Sequence, residues 1–104
     1  MKIKFVDSKI EIFIKELSMI EQAEVSHLRE LLEGFGHEIR MPYSKKISGD
    51  LFELRGKGKT KVRVLYAFRD DSALILHIFI KKTQKIPVRE IDIALHKLWL
   101  FDNI

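Results

Sequence analysis

Two basic clusters hold most of the residues whose types suit chemistry. Arg55, Lys57, Lys59, Lys61 and Arg63 make five of nine consecutive residues basic with no acid among them, and Lys81, Lys82, Lys85 and Arg89 follow after one apolar strand pattern. Cations so placed attract a polyanion by direct contact and counterion release. Between the clusters stand His77, an imidazole suited to acid or base work near neutrality, and Phe79, a ring able to stack on a base. Gln84 can hydrogen-bond a base or cap the helix that follows Pro87. Each residue also has a plainer reading. Lysines keep a small protein soluble and guard an edge strand, Arg63 can bridge to Glu53, His77 can be a hydrogen-bonded strand residue, and Phe79 can lie under the C-terminal helix.

The elements that must position these groups follow from alternation. Phe52 and Leu54 share one side of a strand and Glu53 and Arg55 the other. Val62, Val64, Tyr66 and Phe68 fall on one face of the next strand, opposite Lys61, Arg63, Leu65, Ala67 and Arg69. A three-residue turn, Asp70 to Ser72, then leads to Leu74, Leu76, Ile78 and Ile80 alternating with Ile75, His77, Phe79 and Lys81. In that register Arg63 faces Phe79 and Lys61 faces Lys81. Val62, Val64, Tyr66 and Phe68 meet Ile80, Ile78, Leu76 and Leu74 on a wholly apolar inner face, where Tyr66 reads as packing. The outer face gathers Arg55, Lys61, Arg63, His77, Phe79 and Lys81 as a working surface.

Upstream, Ile3 and Phe5 mark a short opening strand. Ser8 and Glu11 have capping-box spacing before a helix with the stripe Ile10, Phe13, Ile14 and Leu17. Ser18 and Glu21 repeat the box before a second helix with the stripe Val25, Leu28, Leu31, Leu32 and Phe35, ended by Gly34 and Gly36. These helices should lie antiparallel on the apolar sheet face. Lys45 to Ile47 read as an edge strand. Pro87 opens a last helix with Val88, Ile91, Ala94, Leu95 and Leu98 buried. Ile93, Trp99, Leu100 and Phe101 either fold back over the sheet or meet a partner.

At 104 residues the chain, 1–104, is expected to be one domain with a single core. No apolar run is long enough to cross a bilayer and no leader pattern opens the chain, so a cytoplasmic location and no membrane partner are expected. Without cysteine there are no disulfides and no thiolate zinc site, and His27, His37, His77 and His96 lack metal-ligand spacing. No metal and no other cofactor are expected. The loop Gly56 to Thr60 lacks the spacing of a nucleotide-binding motif, so no nucleotide cofactor is expected either. The net charge is +4. It is unevenly spread: residues 1–54 sum to −2 and residues 55–104 to +6.

LFELR, then VRVLYAF, then HIFIKKTQKIPVREIDIAL resembles the phage-derived HigB-like branch of the RelE toxin superfamily. The most specific piece spans Leu76 to Leu95, and the order of elements is compatible over nearly the whole chain. The resemblance implies a RelE-like α+β fold, with two N-terminal helices on a mainly antiparallel twisted sheet and a C-terminal helix at its edge. It also implies a type II toxin that cleaves messenger RNA on the ribosome. A cognate helix-turn-helix antitoxin would hold it inactive.

Cleavage of this kind needs the ribose 2′-hydroxyl deprotonated, the phosphate charge stabilised and the leaving oxygen protonated. By resemblance Arg63 takes the place of the family arginine in an R-x-x-Y strand pattern, and its guanidinium can hold two phosphate oxygens. Arg55 is the second phosphate candidate by the ELR match. The catalytic set is then Arg63, Lys82, Lys85 and His77, and the RNA-binding set Arg55, Lys57, Lys59, Lys61, Lys81, Gln84 and Phe79. Glu53 stands in a strand where other members carry lysines. Two rivals stay open: an RNA- or ribosome-binding module without catalysis, and a degenerate toxin that only binds its antitoxin and modulates operon repression.

Overall fold

The computed structural model describes residues 1–104. Strands β1 (Lys2–Phe5), β2 (Ser44–Ser48), β3 (Leu51–Arg55), β4 (Val62–Arg69) and β5 (Ser72–Ile80) form one sheet in the order β1-β5-β4-β3-β2. β1 runs parallel to β5 and every other neighbouring pair is antiparallel. The helices are α1 (Ser8–Lys15), α2 (Met19–Phe35) and α3 (Val88–Asn103). None is long and apolar enough to cross a membrane.

Alternation on the strands creates two cores. On one face Leu54, Val62, Val64, Tyr66, Ala73, Ile75 and Ile78 meet Ile10 of α1 and Val25, Leu28 and Leu32 of α2. On the other, Leu51, Leu65, Ala67, Leu74, Leu76 and Phe79 meet Ala94 and Leu98 of α3. The expected two-layer arrangement, with an open outer face and α3 at its edge, is therefore corrected: α3 packs across that face. The reason is apolar area. Leu65, Ala67, Leu74 and Leu76 would otherwise leave a greasy surface in water.

The hairpin turn also differs from the expected register. Arg69 pairs with Ser72, not Ala73, across a two-residue turn with Asp70 at φ 53°. Aspartate tolerates that left-handed conformation, and the tight turn suits the strand twist. The register shifts between Leu65 and Tyr66, which pair with His77 and Ile75 and leave Leu76 as the extra residue of a bulge. Beyond the bulge the expected pairs Val62 with Ile80, Arg63 with Phe79 and Val64 with Ile78 form. Before it, Ala73 and Ile75 take the inner places, and Leu74 and Leu76 turn towards α3.

Helix caps follow local acceptor chemistry. Asp7, not Ser8, caps α1, its carboxylate accepting from the Ile10 N–H at 3.2 Å. It also sits 3.2 Å from Lys97 Nζ of α3, which an uncharged Ser8 hydroxyl would not attract. At α2 the box is complete: Glu21 N–H donates to Ser18 Oγ and Ser18 N–H to Glu21 Oε1, both at 3.1 Å. Phe35, expected inside, is exposed. In α3, Ala94 and Leu98 point inward while Val88 and Leu95 point out. The far end of α3 is pinned by Arg69, which donates to Asp102 at 2.9 Å through both Nε and Nη2 and to Asp50 at 3.0 Å.

Candidate anion-binding site

The sheet face that α3 covers changes character along its length. Its apolar end lies beneath Ala94 and Leu98. Towards the other end the rows become polar: Lys45, Glu53, Leu65 and His77 lie in one, Arg55, Arg63 and Phe79 in the next. Lys61 and Lys81 extend the hairpin by one more pair, the Lys81 N–H donating to the Lys61 carbonyl at 2.8 Å. Residues directly opposite on neighbouring strands share a face, so Arg55 and Arg63 stand side by side.

Arg63 is only 9% exposed. Its Nη1 donates to the carbonyls of Thr60 at 2.8 Å and Val62 at 2.9 Å, and its Nε lies 3.3 Å from Glu53 Oε2. The separation is that of an ion pair, yet the N–H is not aimed at the oxygen, so both atoms lack a hydrogen-bond partner. Burial holds the Arg63 pKa below its ordinary value, with Glu53 opposing and Arg55 adding to the shift. The guanidinium stays charged throughout the physiological range. The two guanidiniums stand abreast, with the Glu53 carboxylate first and that of Glu24 second in offsetting the charge of Arg63.

The remaining cations surround this end. Arg55 is half-buried, its Nε donating to the Pro42 carbonyl at 3.1 Å. Lys57, Lys59 and Lys61 are exposed on and beside the β3–β4 loop, Lys81 is half-buried, and Lys82, Gln84 and Lys85 are exposed in the segment leading to α3. In that loop Gly58 takes φ 89°, a conformation other residues rarely adopt.

His77 lies one row inward on the same face and its Nε2 is 3.0 Å from Glu90 Oε2 in the first turn of α3. The carboxylate fixes the ring's orientation. The Phe79 ring stacks on His77, with centroids 5.7 Å apart and planes at 20°, but is itself buried. His77, Phe79 and Lys82 line a cleft of about 850 Å³ between α1, the end of β5 and the start of α3. Arg63, Arg55 and Lys85 do not line it. The structure therefore divides the residues singled out from sequence between a polar sheet end and a neighbouring cleft. Glu90, the partner of His77, was not singled out. Its place at the third helical residue after Pro87, in the first turn of α3, was the available signal.

Together these features define an α+β domain with a cluster of cations at one end of its sheet. Residues 12–98 match the family described as Phage derived protein Gp49-like (DUF891), and the chain belongs to that family. The family is of the RelE-like toxin type, in agreement with the resemblance carried by the β3–α3 segment. No curated protein matches the chain.

Proposed function

We propose that the protein is the toxin of a type II toxin-antitoxin pair, of the HigB-like branch, and that it cleaves messenger RNA on the ribosome. The observation that carries this is the side-by-side placement of Arg55 and Arg63 over Glu53, with Lys61 and Lys81 beyond them. In this reading the two guanidiniums receive the phosphate at the cleavage position. Lys57, Lys59, Lys61, Lys81 and Gln84 follow the RNA backbone and bases.

Proton transfer falls to His77, oriented by Glu90, with Lys82 and Lys85 as neighbouring cations. The 2′-hydroxyl oxygen attacks the adjacent phosphorus as its proton leaves, and the 5′-oxygen departs with a proton gained. Charge on the phosphorane oxygens is balanced by Arg63 and Arg55. The ribosome supplies much of the positioning of the RNA, and a helix-turn-helix antitoxin keeps the toxin silent. A second reading, RNA binding without cleavage, is favoured by the burial of Arg63 and Phe79.

Induced expression in translating cells, with messenger RNA 5′ ends mapped, separates the two. New ends within translated frames that fall about a hundredfold in Arg63→Ala and in Arg55→Ala support cleavage. Their absence with folded, RNA-binding protein overturns it. Arg55→Ala keeps the test informative should Arg63→Ala fold poorly, because Arg55 is less buried.

A further inference from the structure

Lys45 of β2 stands directly opposite Glu53, in the row that continues through Leu65 to His77. Residues opposite one another share a face, so Lys45 lies on the side of the sheet that carries Arg55 and Arg63. Lys46 is on the other side, paired with Phe52, whose ring stacks on Tyr66 of the inner core. Both lysines are exposed and neither makes an ion pair. For Lys45 this has a cause, because a carboxylate lies across from it. Glu53 is 3% exposed and turned to Arg63 Nε at 3.3 Å, and an ammonium, more strongly hydrated than a guanidinium, loses more by following it inward. Lys45 stays in water with its charge unspent.

The backbone that carries this charge is held in place. The two residues before Lys45 are clamped to neighbouring strands, Tyr43 by accepting from the Arg55 N–H at 2.8 Å and Ser44 by a buried bond between its hydroxyl and that of Tyr66. The same segment holds the Arg55 side chain, whose Nε donates to the Pro42 carbonyl at 3.1 Å. Lys45 and Arg55 are diagonal neighbours on adjacent strands, their backbones about 7 to 8 Å apart, within the reach of two long cationic side chains on one RNA backbone. α3 packs chiefly on β5 and β4, from Glu90 beside His77 to Asp102 on Arg69, and leaves the corner of β2 and β3 open. The basic face therefore continues past Arg55 to the edge of the sheet.

We propose that Lys45 holds a phosphate of the bound RNA next to the one that Arg55 and Arg63 receive, so that the strand crosses β3 and leaves over β2. The inference rests on the RNA-cleaving reading and adds a path to it: one flank of the cleavage position lies over Lys45, away from the cleft beside His77. Lys45 binds and moves no proton. Lys46 carries the same charge on the same edge strand but on the opposite face, and takes no part. A lysine kept only for solubility or edge protection would make the two equivalent.

The probe is a short single-stranded RNA oligomer with 2′-O-methyl riboses, which cannot be cleaved through the 2′-oxygen, bound to the whole protein over a range of salt. Lys45→Ala is expected to weaken binding about fivefold at low salt and to make the slope of log affinity against log salt shallower by about 0.7, the share of one phosphate of a single strand. Lys46→Ala should leave both unchanged, and Lys45→Arg should keep both near the wild type. Melting temperatures of the three variants should match the wild type, since both side chains are exposed and unpaired. A loss in Lys46→Ala equal to or larger than that in Lys45→Ala, no loss in either, or a loss in Lys45→Ala that merely follows lost folding overturns the proposal and leaves the RNA-cleaving reading in place. Wild-type protein that binds no RNA overturns both. The expected difference between the two lysines, in a protein that makes no new messenger RNA ends in cells, removes cleavage and keeps Lys45 in the binding site.

Discussion

Arg63 Nε lies 3.3 Å from Glu53 Oε2 across two strands, in a pair whose side chains are 10% and 3% exposed and whose facing atoms form no hydrogen bond. The contact is therefore electrostatic rather than geometric. It keeps a buried guanidinium from being an isolated charge, and leaves part of its donor capacity unspent. The phosphate-binding role proposed for Arg63 uses both properties: the carboxylate offsets the buried charge, and the unspent donor is free for a phosphate oxygen.

Breaking one side of this pair should be worse than removing both. Glu53→Gln strands the Arg63 charge and is expected to lower stability by about 3 kcal/mol, as other half-broken buried pairs do. The double variant Glu53→Leu with Arg63→Met should lose markedly less than the two single changes added together. Urea unfolding of the four proteins measures the coupling. Strict additivity would show that the two charges do not sustain each other.

Acid should loosen α3. Burial pushes the Asp7 carboxyl up, but its hydrogen bond and charge interaction with Lys97, together with the Ile10 and Lys9 N–H groups, outweigh this and hold its pKa below the usual value. Asp102 is likewise lowered, first by its hydrogen bond from Arg69. A carboxylate whose folded pKa is depressed gives stability that is present above its unfolded pKa and lost as pH falls through the folded one. The losses here begin below about pH 4. Both carboxylates tether α3, one near its middle and one at its end. Thermal melting from pH 7 to pH 2.5 should show a steep acid limb, shallower in Asp7→Asn and shallower again with Asp102→Asn.

The strands and helices were legible in the sequence because their signals are local. Alternation found β3, β4 and β5, and the Ser18 and Glu21 spacing gave the start of α2 correctly. What local pattern does not encode is which apolar surplus a third helix will cover. Leu65, Ala67, Leu74 and Leu76 stood on a face read as open, yet they form the floor beneath α3. The bulge at Leu76 was hidden for a related reason: a two-residue turn and a bulge, or a three-residue turn without one, leave Arg63 opposite Phe79 alike. Of the site, alternation put Arg55 and Arg63 on one face and left Phe79 either stacking on a base or covered by the C-terminal helix, of which the structure shows burial, but it gave no sign that Glu90 would meet His77.

Alkali should act through the core. Tyr66 is fully buried and its hydroxyl lies 2.5 Å from Ser44 Oγ. Burial raises its pKa, with the Ser44 bond pulling less strongly the other way. A raised folded pKa means stability that is complete below the unfolded value and drains away as pH climbs from about 10 towards the folded one. Tyr66→Phe should flatten this alkaline limb. At neutral pH it costs about 1 to 2 kcal/mol by leaving the Ser44 hydroxyl unpaired. Denaturation at pH 7 and pH 10.5 reads both effects.

RNA affinity should carry the signature of the exposed loop cations. Replacing Lys57, Lys59 and Lys61 by alanine removes three charges that make no ion pair. If each contacts one phosphate of a single strand, the slope of log affinity against log salt becomes shallower by about 2. Filter binding over a range of salt measures it, and an unchanged slope would place the RNA elsewhere.

The His77 and Glu90 pair gives the sharpest kinetic expectation. With Nε2 and Oε2 3.0 Å apart, the proposed mechanism makes Glu90 a positioning residue that holds the ring and His77 the group that handles the proton. His77→Ala is expected to cut the cleavage rate about a hundredfold. Glu90→Ala should approach that loss, and the double variant should fall little further, because a ring that is absent gains nothing from being held. RNA affinity should hardly move in any of the three, since neither residue lies among the outer cations. A merely structural role predicts a different pattern: reduced melting temperature in each variant, with the rate per folded molecule unchanged. Cleavage assays on translating ribosomes, normalised to folded protein by calorimetry, distinguish the two.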